Sequence, residues 1–406
     1  MASSDSRLDR YAELAVRVGA NVAVGQLVDV WGLVQHAPLM RAATRAAYEA
    51  GARYVDVHYV DQHVRKAMIE LASDEILTWT PPWLLERAKT MGREHAAAVV
   101  ITGDPEPELL SDVDGERVGR ARMRELAEEN LRQSNERLVN WTIVAFPNDG
   151  WATTVFGEPD VERLWEQVAS AVRLDEPDPV AAWQAHMEQL DMRAARLNEL
   201  ELDAVRFRGP GTDLTVGLLP ESTWCSARFE TAWGRSHIPN MPTEEVYSSP
   251  DLRRTEGVVR STRPLAVAGT IVRDLEIRFE GGRAVDVEAS SGADVVRSQL
   301  QTDEGAAFLG EVALVDGDSR VGQTGLTFFD TLFDENASCH IAYGDAIVSA
   351  VRGAEGLLPE ERLARGVNHS AIHTDFMIGG ADVVVAGVRR GGTEIEIIRD
   401  DRWLLS

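Results

Sequence analysis

The feature that most constrains this chain is a change of pattern near residue 200. Before it, residues 26–32, 53–59, 96–102 and 140–146 read as short apolar strands. Residues 8–18 and 38–49 repeat their apolar side chains at helical spacing, and 116–137 reads as one long charged helix. Strands separated by helices of this length pair through crossovers. Residues 1–200 are therefore expected to form an α/β domain with a mostly parallel, Rossmann-like sheet. A helix over residues 177–198 leads out of it. Beyond it, residues 204–207, 213–218, 257–262 and 265–272 read as strands without intervening helices. Residues 274–289 form a hairpin signal. Leu275, Ile277 and Phe279 alternate, Glu280-Gly281-Gly282-Arg283 turns, and Val285 and Val287 alternate back. Residues 201–406 are expected to form an α+β domain with antiparallel strands. Two domains also suit 406 residues, because one core rarely grows past about 250–300.

Charge and cysteine usage narrow the function. Lys+Arg is 41 and Asp+Glu is 66, a formal net charge of −25. That balance argues against nucleic acid and against an anionic membrane surface, and it permits cationic ligands. Two cysteines, Cys225 and Cys339, make no disulfide framework, so a reducing cytoplasm is expected. The opening MASSDSRLDR lacks the apolar core of a signal peptide. The apolar run 96–101 is far short of the roughly 20 residues that a membrane span needs. No G-x-G-x-x-G follows the first strand and no Walker A sequence occurs, so the α/β domain has no evident pyrophosphate cradle.

The chemistry-bearing residues cluster in the second half. Residues 240–246 (NMPTEEV) present the paired acids Glu244 and Glu245. Glu311 sits in the apolar run 308–313, and residues 334–340 (DENASCH) bring acids together with His340. In residues 371–378 a His-x-Asp is embedded in an apolar strand. Alternate residues of a strand share a face, so His373 and Asp375 point the same way. An acid and an imidazole in such a setting are paired or ligated, because a lone buried charge costs several kcal/mol. Taken singly, a Glu-Glu pair is ordinarily solvated surface, and a lone histidine is ordinarily a satisfied core residue. Cys339 reads as a buried structural thiol rather than a ligand.

In order along the chain, NMPTEEV (240–246), RTEGVVR (254–260), GEVALV (310–315), DENASCHI (334–341) and HTDFMIG (373–379) resemble the thermophilic aminopeptidase family. The resemblance implies a cytoplasmic two-domain exopeptidase, usually a homodimer, with a dinuclear metal site in its second domain. The ligands it implies are Glu245, Glu311, His340, His373 and Asp375, with Glu335 as a sixth. Oxygen and nitrogen donors without thiolate suit two divalent ions such as Zn, Co or Mn. Glu311 is the expected bridging carboxylate, serving an activated water that cleaves the N-terminal residue of a peptide. Glu244 or Glu335 is then available for the substrate's α-amine.

One position departs from the family pattern. A tyrosine is expected seven residues after the motif histidine, and this chain has Ile347 there. Were the segment helical, Tyr343 would share its face and could replace the missing phenol in catalysis. Two other readings stand beside the peptidase. His340, His373 and Asp375 alone match a mononuclear non-haem Fe(II) ring-cleaving dioxygenase of similar fold. Ile347 in place of tyrosine also fits a pseudo-enzyme.

Overall fold

In the computed structural model, which describes residues 6–405, the strand–helix alternation of the first half resolves as a four-stranded sheet. Its strands are Leu27–Leu33, Tyr54–Val60, Ala97–Thr102 and Asn140–Ala145. The spatial order is second, first, third, fourth, and every pairing is parallel. Helix Ala37–Glu49 supplies a crossover, with Pro38 in its first turn where the missing N–H costs nothing. Val28, Val30, Val99, Ile101 and Val144 bury against Leu39, Met40, Trp151 and Trp165.

Two local expectations are corrected. Residues 116–137 are not one helix but two, Gly115–Arg120 and Arg124–Asn135. Gly119 is a weak helix former, and Ala121 leaves the helix with ψ 75° as it buries its methyl. Arg122 sits in the break. Residues 265–272 are not one strand but a tight hairpin of Leu265–Val267 and Thr270–Val272. Ala268 and Gly269 turn it with φ of +54° and +79°, the paired positive values that a two-residue hairpin loop demands.

The second half holds an eight-stranded and a four-stranded sheet, both antiparallel. The helix Pro179–Glu199 leads into them, capped by the Asp178 carboxylate accepting from Ala181 N–H. Trp183 and Met187 of this helix belong to the first core, and Leu190, Ala194 and Leu197 to the second. Val205, Phe207, Leu214, Val216, Ile277 and Phe279 of the larger sheet pack against the inner face of the smaller one.

That smaller sheet carries the chemistry. Its strands are His373–Met377, His340–Gly344, Leu309–Leu314 and Val246–Ser248, in that spatial order. Alternation sorts its residues. Val246, Val312, Leu314, Ile341, Tyr343 and Phe376 point into the second core. Tyr247, Ala313, His340 and Met377 form one cross-strand row on the other face. Glu311, Ala342 and Asp375 form the next row on that face. A bulge at Gly310 sets this register, and a Cβ there would lie 2.0 Å from the Asp345 carbonyl oxygen, so only glycine fits.

Candidate metal centre

The outer face of the small sheet gathers two overlapping donor sets. Glu245, Glu311 and His340 offer ligand atoms within 4.8 Å of one another, and so do Glu311, His373 and Asp375. Glu311 belongs to both. His340 Nε2 lies 2.9 Å from Glu245 Oε2. His373 Nε2 lies 3.0 Å from Glu311 Oε2 and 3.5 Å from Asp375 Oδ1.

The opposite edge of each imidazole is fixed by backbone. His340 Nδ1 faces the Ser338 carbonyl at 3.3 Å, and His373 Nδ1 faces the Asp345 carbonyl at 2.8 Å. A carbonyl can only accept, so both rings carry the proton on Nδ1 and present Nε2 to the carboxylates. Asn336 ties the contributing segments together. Its Oδ1 accepts from Glu244 N–H at 2.6 Å, and its Nδ2 donates to the Leu332 carbonyl at 2.8 Å. The segment 239–241 is held in turn on the edge of the parallel sheet, where Ile143 N–H donates to the Pro239 carbonyl and Met241 N–H to the Ile143 carbonyl.

The electrostatics fit a bound cation. Burial pushes Glu311 up to about 7 against its His373 hydrogen bond, and Glu245 and Asp375 add repulsion. Burial disfavours a charged His340, yet the Glu245 hydrogen bond and the surrounding acids win and lift it to about 10. His373 is raised well above its ordinary value: burial opposes the charge, and Asp375 and Glu311 overcome it. Acids crowded this closely hold protons that a divalent ion would displace.

A cavity of about 960 Å³ opens over this face, with walls from both halves of the chain. Trp31, Trp141, Phe229 and Leu332 line it together with Glu245, Glu311, His340, His373 and Asp375. Such a size and apolar lining with convergent polar groups suit a small ligand.

A profile described as "Thermophilic metalloprotease (M29)" matches residues 4–403. The chain belongs to that family. Relatives of this M29 metalloprotease include aminopeptidase T of Thermus aquaticus, 43% identical over 404 residues and 98% of each chain. Aminopeptidase AmpS of Bacillus subtilis (strain 168) is 36% identical over 411 residues, covering 99% of this chain and all of the relative. The structure of wild-type AmpT from Thermus thermophilus matches with a TM-score of 0.85 at 41% identity, covering 98% of this chain and 99% of that one.

The remaining sequence expectations for the M29 metalloprotease divide. Glu335 lines the cavity but lies outside both donor sets, and its Oε1 accepts from Asn240 Nδ2 at 3.1 Å. Glu244 is corrected as a receiver of the substrate amine. Unlike Glu245 it does not line the large cavity, and it is buried in an ion pair with Arg173 at 2.8 Å. Tyr343 is corrected as a catalytic stand-in. Its segment is a strand rather than a helix, so three residues from His340 is the opposite face. There it is buried in the second core, with its hydroxyl donating to Gln299 Oε1 at 2.5 Å. Cys339 is a buried thiol whose Sγ donates to the Val315 carbonyl.

Sequence reasoning missed Tyr247. It stands on the ligand face, in the row of His340 and separated from it only by Ala313. Phe229 stacks on its ring at 6.0 Å, and Ile347 packs beside it. Its hydroxyl has no hydrogen-bond partner among the described residues, and the residue lines the large cavity. The alternation Glu245-Val246-Tyr247 was the signal that could have found it.

Proposed function

We propose that this M29 metalloprotease is an aminopeptidase that hydrolyses the N-terminal residue of peptides with two divalent metal ions, such as Zn, Co or Mn. The observation that carries the reading is the sharing of Glu311 by two three-residue donor sets. Glu245 and His340 complete one set, and His373 and Asp375 the other. Two such ions would polarise the scissile carbonyl and lower the pKa of a shared water toward ~7. The chain's own groups do the rest. The backbone carbonyls of Ser338 and Asp345 keep both imidazoles aimed. The apolar cavity takes the N-terminal side chain and excludes water. Glu335, beside both donor sets, is the carboxylate left for the substrate's α-amino group.

Tyr247 supplies a neutral phenolic donor on the same face, where Ile347 has none to offer. It is placed to hydrogen-bond the oxygen on which charge develops. A mononuclear oxygenase needs no bridging acid, so the Glu311 geometry favours hydrolysis. We further read the enzyme as a cytoplasmic homodimer, which sedimentation of the purified protein tests; among the described residues, no helix is long and apolar enough to cross a membrane. Turnover of leucyl and arginyl substrates before and after chelation tests the function. The proposal expects loss on chelation and recovery with Zn, Co or Mn. Cleavage of no peptide by metal-loaded protein refutes it.

A further inference from the structure

A second cavity, of about 380 Å³, also has His373 and Asp375 in its wall. Its other polar walls are Arg65, Arg122, Gln299, Thr331 and Thr374. Arg65 comes from the helix Gln62–Leu71, and Arg122 from the break between Gly115–Arg120 and Arg124–Asn135. The two guanidinium groups are close enough that Arg65 disfavours the charge on Arg122, and burial disfavours both charges. Neither side chain makes a hydrogen bond or ion pair with any described residue, and Arg122 Nε is buried without a partner.

The acids that attract them, Asp303 for Arg122 and Asp104 for Arg65, are hydrogen-bonded elsewhere, and Asp375 in the same wall faces His373. Asp303 accepts from Ser370 Oγ at 2.8 Å and from Ala371 N–H at 2.7 Å. Asp104 accepts from Gln62 Nε2 at 3.0 Å and from Glu106 N–H at 2.8 Å. Two half-buried cations whose attracting acids, Asp104 and Asp303, make no direct contact with them are costly unless an anion completes them. Guanidinium forks match a carboxylate in shape and charge.

The large cavity and this one share His373, Asp375 and Thr331. A peptide bond lying over the centre thus has its N-terminal residue in the apolar cavity and its leaving part directed at the arginines. One extended residue advances only about 3.3–3.6 Å, so a short leaving part suffices. We infer that Arg65 and Arg122 form a subsite for the C-terminal carboxylate of di- and tripeptides, giving the enzyme a preference for short peptides with a free C-terminus. This rests on the aminopeptidase reading above.

The test compares kcat/KM for leucylglycine and leucylglycinamide in the metal-loaded full-length enzyme, in Arg122→Met and in Arg65→Met. Wild type is expected to favour the free acid by roughly tenfold or more, through KM, as a charge-assisted contact implies. Each Met variant is expected to bring that ratio toward one, and Arg122→Lys to restore part of it. The ratio is taken within each protein, so differences in active fraction cancel. The wild-type ratio needs no variant at all, so a substitution that fails to fold leaves the test intact. Equal use of both substrates by wild type, or a ratio that survives both Met variants, overturns the subsite. Cleavage of neither substrate overturns the aminopeptidase reading itself, and the subsite with it.

Discussion

Replacing Glu311 with Gln should make the metal-free protein more stable while removing its function. Glu311 is buried, and its carboxyl is pushed from the ordinary 4.5 to about 7. A carboxyl whose folded value is raised holds its proton more tightly in the folded state. It therefore favours folding below about 4.5 and loses that advantage as pH rises through 7. At about 1.4 kcal/mol per pH unit, the ionised side chain costs the folded protein about 3 kcal/mol at pH 8. Glutamine has the same shape and no charge, so Glu311→Gln should recover most of that amount. At pH 5 little of Glu311 is ionised in the folded state, and the gain should shrink to under about 1 kcal/mol. The assay is urea unfolding of chelator-treated protein at both pH values, beside metal content and turnover. Because Glu311 belongs to both donor sets, the variant should hold neither metal ion and lose turnover by more than about 10³-fold. A variant equally or less stable than wild type at pH 8 would mean that an ionised Glu311 costs the fold nothing, and one that still binds two ions would mean that Glu311 is not the shared ligand.

Other outcomes follow from the same geometry. Glu245→Gln and Asp375→Asn each remove a donor from one set only, so each should retain about one metal equivalent by elemental analysis. Tyr247→Phe should lower kcat by roughly 10²-fold with little change in KM, as expected for a lost transition-state donor. Tyr343→Phe should leave kcat intact and cost only about 1 kcal/mol for the Gln299 hydrogen bond, read by denaturation. His186 is lowered to about 3 by burial and by Arg173, so it stays neutral in the folded state below pH 6.5 while the unfolded chain takes up a proton. Stability should then fall as pH drops from 6.5 toward 3, and His186→Gln should flatten that fall in urea titrations at pH 7, 5 and 4.

The parts of this molecule that were legible in the sequence obey local periodicity. The parallel sheet and the 276–288 hairpin follow from alternation and turn residues within a few positions. His373 and Asp375 follow too, since a strand two residues apart fixes a shared face. The meeting of Glu245 with Glu311 and His340 depends on sheet order across distant segments, and only the family resemblance pointed to it. Tyr343 was misread because a helical period was applied to a segment that pairs with strands on both sides. The break at residues 121–123 was hidden inside a continuous run of charged residues, and with it the inward placement of Arg122. An arginine in such a run reads as solvated surface until the chain path is known.

Sharing of Glu311 by two metal ions that peptide cleavage requires has a direct readout. That readout is metal content measured together with leucyl-peptide turnover, on the same preparation before and after chelation. The protein should carry about two equivalents of Zn, Co or Mn per chain, lose activity as they are removed, and regain it on their return. One equivalent of iron, or peptide hydrolysis that persists in metal-free protein, would contradict this.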